Sequence, residues 1–401
     1  MKHSGFVPLR NDYFLAILIS LLVIAPQGVA YDGLVEKKVF TMSSFTTVGG
    51  DVLKDVRFGY ETYGRLNANR DNAIVILPYF GGTGHAAGKF AESDQAPGYW
   101  DTIIGSGKPI DTDKYFVIAG DGLINQAIKD GHTITTGPAS IDPRNGKPYG
   151  MRFPILTVRD LVKAQKALVD SFVIKKLHAV MGLSLGGIQS FEWAAVFPDS
   201  TDRVIPVVGF AETDGYTIAN LHAWSAPIKV DPKWSKGDYY GKDEPFEGLL
   251  AAYKIVVHQA QHYGSVSKTA GRNWAHEGKD PAKSWENTFA AEAGLDGFAR
   301  LLATVNDANS FLYQAKAIQL FVAGDGPTLD AGLANVKAEL LILPAESDLM
   351  VYAIYSRDAA HRLTQLGKSV QYHEIPGDGG HNDAVFNIAR VGDLIRKFLN
   401  D

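Results

Sequence analysis

Short runs of apolar and β-branched residues alternate along the chain with longer helix-like segments. Two runs of mixed polarity, residues 37–45 and 52–64, open the pattern and predict antiparallel strands. Continuous apolar runs, typical of strands buried on both faces, follow at residues 72–80, 115–121, 177–182, 203–210, 338–345 and 370–376. The pattern predicts an α/β fold in which helices flank both faces of an eight-stranded, mostly parallel sheet.

This alternation is interrupted between the sixth and the seventh predicted strand. Residues 211–334 carry aromatic and charged helical sequence, including GLLAAYKIVVHQAQHY and FARLLATVNDANSFLYQAKAIQLF. A long insertion at one end of a parallel sheet predicts a helical lid over that end. We therefore expect a first core segment at residues 31–210, the lid at 211–334 and a second core segment at 335–401.

The first thirty residues follow the order of a secretory signal peptide. Lys2 and Arg10 precede the apolar run Tyr13–Ala25, and small residues then lead to an expected cleavage site after Ala30. The run is shorter than the roughly 20 residues that span a bilayer, so we expect no stable membrane insertion. The sequence predicts export to the periplasm or the medium, with an uncleaved anchor as the alternative.

Composition narrows the class of partner. The chain has 401 residues, 46% of them hydrophobic, and a net charge of -5 without any block of lysine or arginine. We therefore expect a small-molecule substrate and no nucleic-acid partner. The absence of cysteine excludes a thiol nucleophile, and no histidine and carboxylate cluster has the spacing of metal ligands. We expect neither a metal nor a bound cofactor.

One motif carries most of the chemistry. In VMGLSLGGIQ, Ser184 lies between Gly182 and Gly186, at the join of a predicted strand and a helix predicted to begin near Ile188. This G-x-S-x-G pattern is typical of a nucleophile on a strained turn, where glycines remove the β-carbons that would collide with strand and helix. The alternative is an inert serine at a closely packed strand and helix.

A nucleophilic serine needs a base and an acid on loops after later strands. The loop ILPAESDLMVY offers Asp348 and, as the weaker candidate, Glu346; PGDGGHNDAVFN offers His381. An oxyanion hole needs two backbone N–H groups, expected from Leu185 and from Phe80 or Gly81 in PYFGGTG. The rival interpretation of that glycine-rich loop, phosphate binding, lacks the lysine and Ser/Thr of a P-loop.

Several segments together resemble the homoserine O-acetyltransferase family, a branch of the α/β-hydrolase fold. They are GGTGHAAG, GYWDTIIGSGKPIDTDKYFVIAGD, TTGPASIDPRNGKPYGMRFPILTVRDLVKAQKALVD and MGLSLGGIQSFEWAAVFPD. The resemblance implies a triad of Ser184, Asp348 and His381, oxyanion donors at Phe80 and Leu185, and acetyl-CoA as the acyl donor. It also implies a lid that can support a homodimer.

The lid departs from that family at one functional position. The resemblance implies an arginine that binds the acceptor's carboxylate, followed by an Asp-Pro-x-Trp motif. In NLHAWSAPIKVDPKW the motif is kept as Asp231, Pro232 and Trp234, but Ser225 or Trp224 stands at the arginine position. Loss of a bidentate carboxylate contact makes homoserine a poor candidate for the acceptor.

Three functions remain in order of preference. The first is an exported serine hydrolase of the esterase kind, which passes the acyl group from Ser184 to water. The second is an acyltransferase that passes the acyl group to a hydroxyl acceptor. The third is a non-catalytic binding protein that keeps the fold for its lidded pocket.

Overall fold

The computed structural model describes residues 33–401. The predicted signal peptide, residues 1–30, lies outside the described residues. Within residues 33–401, no helix is long and apolar enough to cross a membrane.

Eight strands form the central sheet. They are β1 (Lys38–Thr46), β2 (Val52–Tyr63), β3 (Ala73–Leu77), β4 (Phe116–Gly120), β5 (Leu177–Leu183), β6 (Thr201–Val207), β7 (Glu339–Ile342) and β8 (Val370–Tyr372). Their order across the sheet is β1-β2-β4-β3-β5-β6-β7-β8. The pairs β1–β2 and β2–β4 are antiparallel and the remaining pairs are parallel, so the predicted α/β class and eight-stranded sheet are confirmed.

The sheet separates two apolar clusters, because side chains alternate between the faces of a strand. On β3, Val75 and Leu77 belong to one cluster and Ile74 and Ile76 to the other. The inner strands β3 and β4 are buried at every residue, which explains their unbroken apolar sequence. The edge strands β1 and β8 keep exposed positions.

Helices cover both faces. α1 (Val158–Ser171), α2 (Leu185–Val196) and α9 (Ala353–Gln365) contribute to the first cluster, and α11 (Gly392–Asn400) contributes to the second. The start of α1 is fixed by a capping box, in which Thr157 and Asp160 bind each other's backbone N–H. Two short helices, α8 (Leu329–Leu333) and α10 (Asp383–Phe386), precede β7 and α11 respectively.

In the described part of the chain, six α-helices lie between β6 and β7, where the sequence pattern predicts the lid: the short α8 and five others. These five are α3 (Gly215–Val230), α4 (Phe246–Ala260), α5 (Tyr263–Thr269), α6 (Ala290–Val305) and α7 (Ala308–Gln319). The Asp-Pro-x-Trp motif links them: Asp231 accepts from Gly248 N at 2.9 Å, and the Trp234 indole donates to Asn309 at 2.9 Å. The motif therefore joins the end of α3 to α4 and α7.

Element boundaries differ from the predicted ones at several strand ends and at the start of α2. The last strand ends at Tyr372, where residues 370–376 were expected to be extended, and only one further bridge joins Ala345 to Ile375. Helix α2 begins at Leu185, three residues before the expected start at Ile188. It begins early because Ser184 itself makes the whole turn between strand and helix.

Candidate active site

Ser184 occupies the single residue between β5 and α2. Its backbone has φ 56° and ψ -112°, a left-handed conformation that is strained for a residue with a side chain. Two hydrogen bonds hold it there: Ser184 N donates to Val207 O, and Ser184 O accepts from Ile188 N, both at 2.9 Å. The half-buried side chain is thereby projected from the carboxyl end of the sheet.

The flanking glycines leave no space for side chains. A β-carbon on Gly182 would lie 2.1 Å from Gly186 O, and one on Gly186 would lie 2.1 Å from Leu77 O. Both separations are far below contact distance between atoms. The G-x-S-x-G pattern therefore reflects a close approach of α2 to β5 and to the end of β3.

Asp348 and His381 meet at the ends of β7 and β8. His381 Nδ1 lies 2.6 Å from Asp348 Oδ2, and Asp348 Oδ1 accepts from the N–H of Met350 and Val351 at 2.8 and 2.9 Å. The Asp348 side chain has no exposed surface and that of His381 is 10% exposed. Glu346 is exposed and makes no comparable contact with the imidazole.

A second carboxylate shapes the histidine loop. Asp383 is fully buried, and its Oδ2 accepts from Gly379 N at 2.8 Å. The hydroxyl of Ser347 accepts from Gly380 N at 3.0 Å, so the acid loop and the histidine loop are directly joined. These contacts fix the position of His381 relative to Asp348.

Ser184 and His381 line one cavity of about 180 Å³ at the end of the sheet. Its wall includes the loops that carry Asp348 and His381, the loop after β3, and helices α3, α4 and α6. A larger, open groove of about 800 Å³ lies beside β1 and β2, far from the serine and histidine. We assign the chemistry to the smaller cavity because it brings together a strained serine and an imidazole paired with a carboxylate.

The loop after β3 limits the choice of oxyanion donor. Gly81 N already donates to Gln314 Oε1 at 3.0 Å, so the predicted use of the Gly81 amide does not agree with this structure. Within residues 33–401, no acceptor is found for Phe80 N or for Leu185 N, the first residue of α2. Both Phe80 and Leu185 line the cavity with Ser184. The candidate oxyanion donors are therefore these two amides.

Sequence reasoning missed the polar residues that support this loop. Gln314 Oε1 also accepts from Gln126 Nε2 at 2.6 Å, and Gln126 Oε1 accepts from the Tyr253 hydroxyl at 2.7 Å. Burial raises the pKa of Tyr253 well above its ordinary value, so the hydroxyl remains a donor. No local signal marks these residues, because each contact joins segments more than a hundred residues apart.

His85, in the same loop, lies outside the cavity lining. Its Nδ1 is 3.0 Å from Glu61 Oε2, and its ring stacks on Phe90. Lys37 binds Glu61 and Asp121 at 2.7 and 2.8 Å in the same buried cluster. The Asp121 carboxylate accepts from Gly84 N at 2.7 Å, so the cluster anchors the far end of the loop.

The two residues at the arginine position face different ways. Trp224 lines the catalytic cavity, whereas the Ser225 hydroxyl donates to Leu221 O and Ser225 lines a separate surface groove. Neither residue supplies a cation. Within the described part of the chain, no group of histidine, aspartate and glutamate side chains could hold a metal ion.

Comparison with known proteins places this geometry in a family. Residues 105–387 match the alpha/beta hydrolase fold family. The homoserine O-acetyltransferase of Deferribacter desulfuricans is 36% identical over 92% of this chain and 96% of its own length. The crystal structure of homoserine O-acetyltransferase from Bacillus anthracis has a TM-score of 0.86 at 35% identity, over 92% of this chain and 98% of that one. The crystal structure of esterase E22 has a TM-score of 0.87 at 41% identity, over 91% of this chain and 100% of that one.

The comparisons correct the order of the three functions. Curated relatives that are 35% or 36% identical are named homoserine O-acetyltransferase. The prediction of an exported serine hydrolase as the main activity is therefore wrong, and acyl transfer agrees better with the relatives. A non-catalytic binding protein is also excluded, because fold and relatives are those of acyltransferases and hydrolases. The chain belongs to the homoserine O-acetyltransferase family of α/β hydrolases.

Proposed function

We propose that the protein is an acyltransferase that moves an acetyl group, through an ester on Ser184, to the hydroxyl of a small acceptor. One observation carries the proposal. Ser184 and His381 line the same cavity, and the imidazole is held on its other nitrogen by Asp348 at 2.6 Å. The donor expected from the family is acetyl-CoA.

The first half-reaction forms the acetyl-enzyme. The Asp348 carboxylate accepts from Nδ1–H and leaves His381 Nε2 as the base that takes the Ser184 hydroxyl proton. Ser184 Oγ then bonds to the thioester carbon, the C–S bond breaks, and the thiol leaves with the proton that His381 held. The Phe80 and Leu185 amides are suited to bind the oxyanion formed in between.

The second half-reaction reverses these roles. His381 Nε2 takes the proton of the acceptor hydroxyl, and the acceptor oxygen attacks the acetyl carbon. The bond from that carbon to Ser184 Oγ breaks, and His381 returns the proton to the serine. The net result is one new acetyl ester and a free enzyme.

The cavity wall supports transfer over hydrolysis. Its members are mostly aliphatic and aromatic, including Ile188, Leu221, Val257 and Phe298. An acceptor with an apolar body gains contact with this wall and displaces water from it, so it competes well for the acetyl-enzyme. The names of the curated relatives support the same conclusion.

Acetylation of the serine and dependence on an acceptor test the proposal. Purified protein is mixed with acetyl-CoA, and its intact mass is followed with and without hydroxyl acceptors. We expect one acetyl group on Ser184, found by peptide mapping, and thiol release that accelerates with acceptor concentration. Ser184→Ala should show neither effect. Thiol release that is equally fast in water alone, with acetate as the product, would contradict the proposal.

Export is a separate proposal that rests on the sequence of residues 1–30. Cleavage after Ala30 would leave Tyr31 as the first residue of the mature protein. N-terminal sequencing of the protein from the periplasmic and cytosolic fractions tests it. An intact N-terminus found only in the cytosol would exclude export.

A further inference from the structure

The wall of the catalytic cavity has no formal charge. Among the described residues that line it, there is no aspartate, glutamate, lysine or arginine. Besides Ser184 and His381, its polar members are tyrosine hydroxyls, amides and one threonine. A cavity that selects charged molecules usually presents at least one fixed counter-charge.

The charged side chains of the adjoining lid helices are engaged elsewhere. Lys254 on α4 binds Asp296 on α6 at 2.8 Å, and the Arg300 guanidinium lies over the Phe246 ring at 5.5 Å. None of these four residues lines the cavity. These charges of α4 and α6 therefore lie outside the site.

The polar groups of the wall are also neutral, and some are paired with protein groups, whereas the buried Asn306 Oδ1 has no hydrogen-bond partner among the described residues. Asn220 and Gln259 exchange two hydrogen bonds at 2.9 and 3.2 Å, and the Trp224 indole donates to Gln259. Burial raises the pKa of Tyr79 and of Tyr253, which keeps both hydroxyls protonated. No anion is present in this wall to bind an ammonium group.

An amino acid is therefore a poor fit to this cavity. Its carboxylate and its ammonium would both lose water, and neither would meet an opposite charge. A neutral molecule loses little on entry and gains contact with the rings of Phe80, Trp224 and Phe298. The wall favours an apolar body beside the reacting hydroxyl.

Size limits the acceptor further. A cavity of about 150 Å³ lined by Leu, Ile and Phe holds one benzene ring, and this cavity measures about 180 Å³. Resting on the proposed acyl transfer, we infer that the acceptor is an uncharged alcohol with an apolar body of about one ring, such as a benzylic alcohol. Its hydroxyl gives a proton to His381 Nε2, its oxygen takes the acetyl group, and Ser184 leaves as the free hydroxyl.

Competing acceptors test this inference. With acetyl-CoA as donor, benzyl alcohol, L-homoserine and choline are compared by kcat/KM, with each acetyl ester measured by mass spectrometry. Choline is included because aromatic walls can bind quaternary ammonium groups through cation–π contacts. We expect kcat/KM for benzyl alcohol to exceed both others by at least about tenfold, the effect of ~1.4 kcal/mol.

The outcomes separate the two levels of the proposal. If no acetyl-enzyme forms, or if the rate of thiol release is the same with and without each acceptor, the proposed acyl transfer is overturned and the inference with it. If transfer is efficient but homoserine or choline is the preferred acceptor, only the inference that the acceptor is uncharged is overturned.

A paired substitution checks that charge is the cause. Val256 is half-buried on α4 and lines the cavity, so Val256→Lys places a cation there while Val256→Met adds similar length without charge. Relative to Val256→Met, Val256→Lys should lower kcat/KM for benzyl alcohol and raise it for homoserine, each about tenfold or more. Circular dichroism and acetylation of Ser184 show that both variants are folded. Equal acceptor preferences in the two folded variants would overturn the inference.

Discussion

Replacing Asp348 by asparagine should remove most activity through the orientation of a single amide. In the native protein, Asp348 Oδ1 accepts from Met350 N and Val351 N at 2.8 and 2.9 Å, and Oδ2 faces His381 Nδ1 at 2.6 Å. An asparagine carbonyl must take over the two backbone N–H groups. Its NH₂ group then faces the imidazole.

That orientation forces the wrong tautomer. Nδ1 must accept from the amide, so the proton moves to Nε2 and the imidazole can no longer act as a base toward Ser184. Turning the amide over would leave two buried N–H donors unpaired, at about 1–3 kcal/mol each. At about 1.36 kcal/mol per tenfold, this total of ~2–6 kcal/mol corresponds to a rate loss of about 30-fold to 10⁴-fold. Loss of the carboxylate charge beside the imidazolium moves the expected value toward the upper end.

Acetylation of Ser184 by p-nitrophenyl acetate, followed as the pre-steady-state release of nitrophenol, measures this step directly. We expect Asp348→Asn to lower the rate constant about 10³–10⁴-fold, with a melting temperature close to that of the native protein. Glu346→Gln is the matched control, because Glu346 is an exposed carboxylate on the same loop. The reasoning is refuted if Asp348→Asn keeps more than a tenth of the rate, or if Glu346→Gln loses as much.

Three further predictions address the parts that surround the triad. In a urea titration, Gly186→Ala should lower the free energy of unfolding by on the order of 3 kcal/mol, since its β-carbon would lie 2.1 Å from a backbone oxygen, and it should also slow acetylation. The control Gly297→Ala, in an exposed turn of α6 with open space, should instead be stabilising by up to ~1 kcal/mol in the same titration. Lys37→Met should cost about 3–5 kcal/mol because two buried carboxylates lose their cation. Burial lowers the pKa of Lys37, but the two carboxylates outweigh that effect and raise it above 10.5. While the carboxylates are ionised, the native ion pair should therefore be stabilising in full below pH 10.5 and lose its effect as the pH rises through the raised value. A native pH–stability curve that matches that of Lys37→Met would contradict this. Gln314→Met should lower the acetylation rate about tenfold or more, because the amide of Gly81 loses its acceptor and the loop that carries Phe80 loosens. This loss should be smaller than the roughly 10²–10³-fold loss caused by removal of an oxyanion donor. An unchanged rate would show that the loop needs no such support.

The sheet could be predicted because its signal is local. Inner strands such as β3 are buried at every residue, so burial appears in the sequence as an unbroken apolar run. The ends of the strands are less well marked: the predicted runs 72–80 and 370–376 are each four residues longer than the observed β3 and β8. The start of α2 was missed because a strained residue such as Ser184 can replace a longer turn.

In the candidate site, the sequence indicates the groups that follow a known chain order, but not those that depend on distant contacts. A serine between glycines, then an acid and a histidine after later strands, is a pattern that can be read directly. By contrast, Gln314 lies 233 residues from Gly81, and nothing in the helical pattern of α7 marks it as the partner of a backbone amide. The choice between Phe80 and Gly81 therefore required the structure.

The turn at Ser184 and the wall of the cavity differ in how freely their residues can be substituted. The turn cannot change, since a β-carbon on Gly182 or Gly186 would overlap backbone atoms at 2.1 Å. The wall is partly built from side chains of α3, α4 and α6, such as Val256, which lie on other elements than the triad. A chain can thus keep the acyl-enzyme chemistry of its family while the lid loses the charges that an amino acid acceptor requires. Under the proposed function, acceptor choice depends on the side chains of α3, α4 and α6 that line the cavity, and the Val256 substitutions should change it more than they change the rate of Ser184 acetylation.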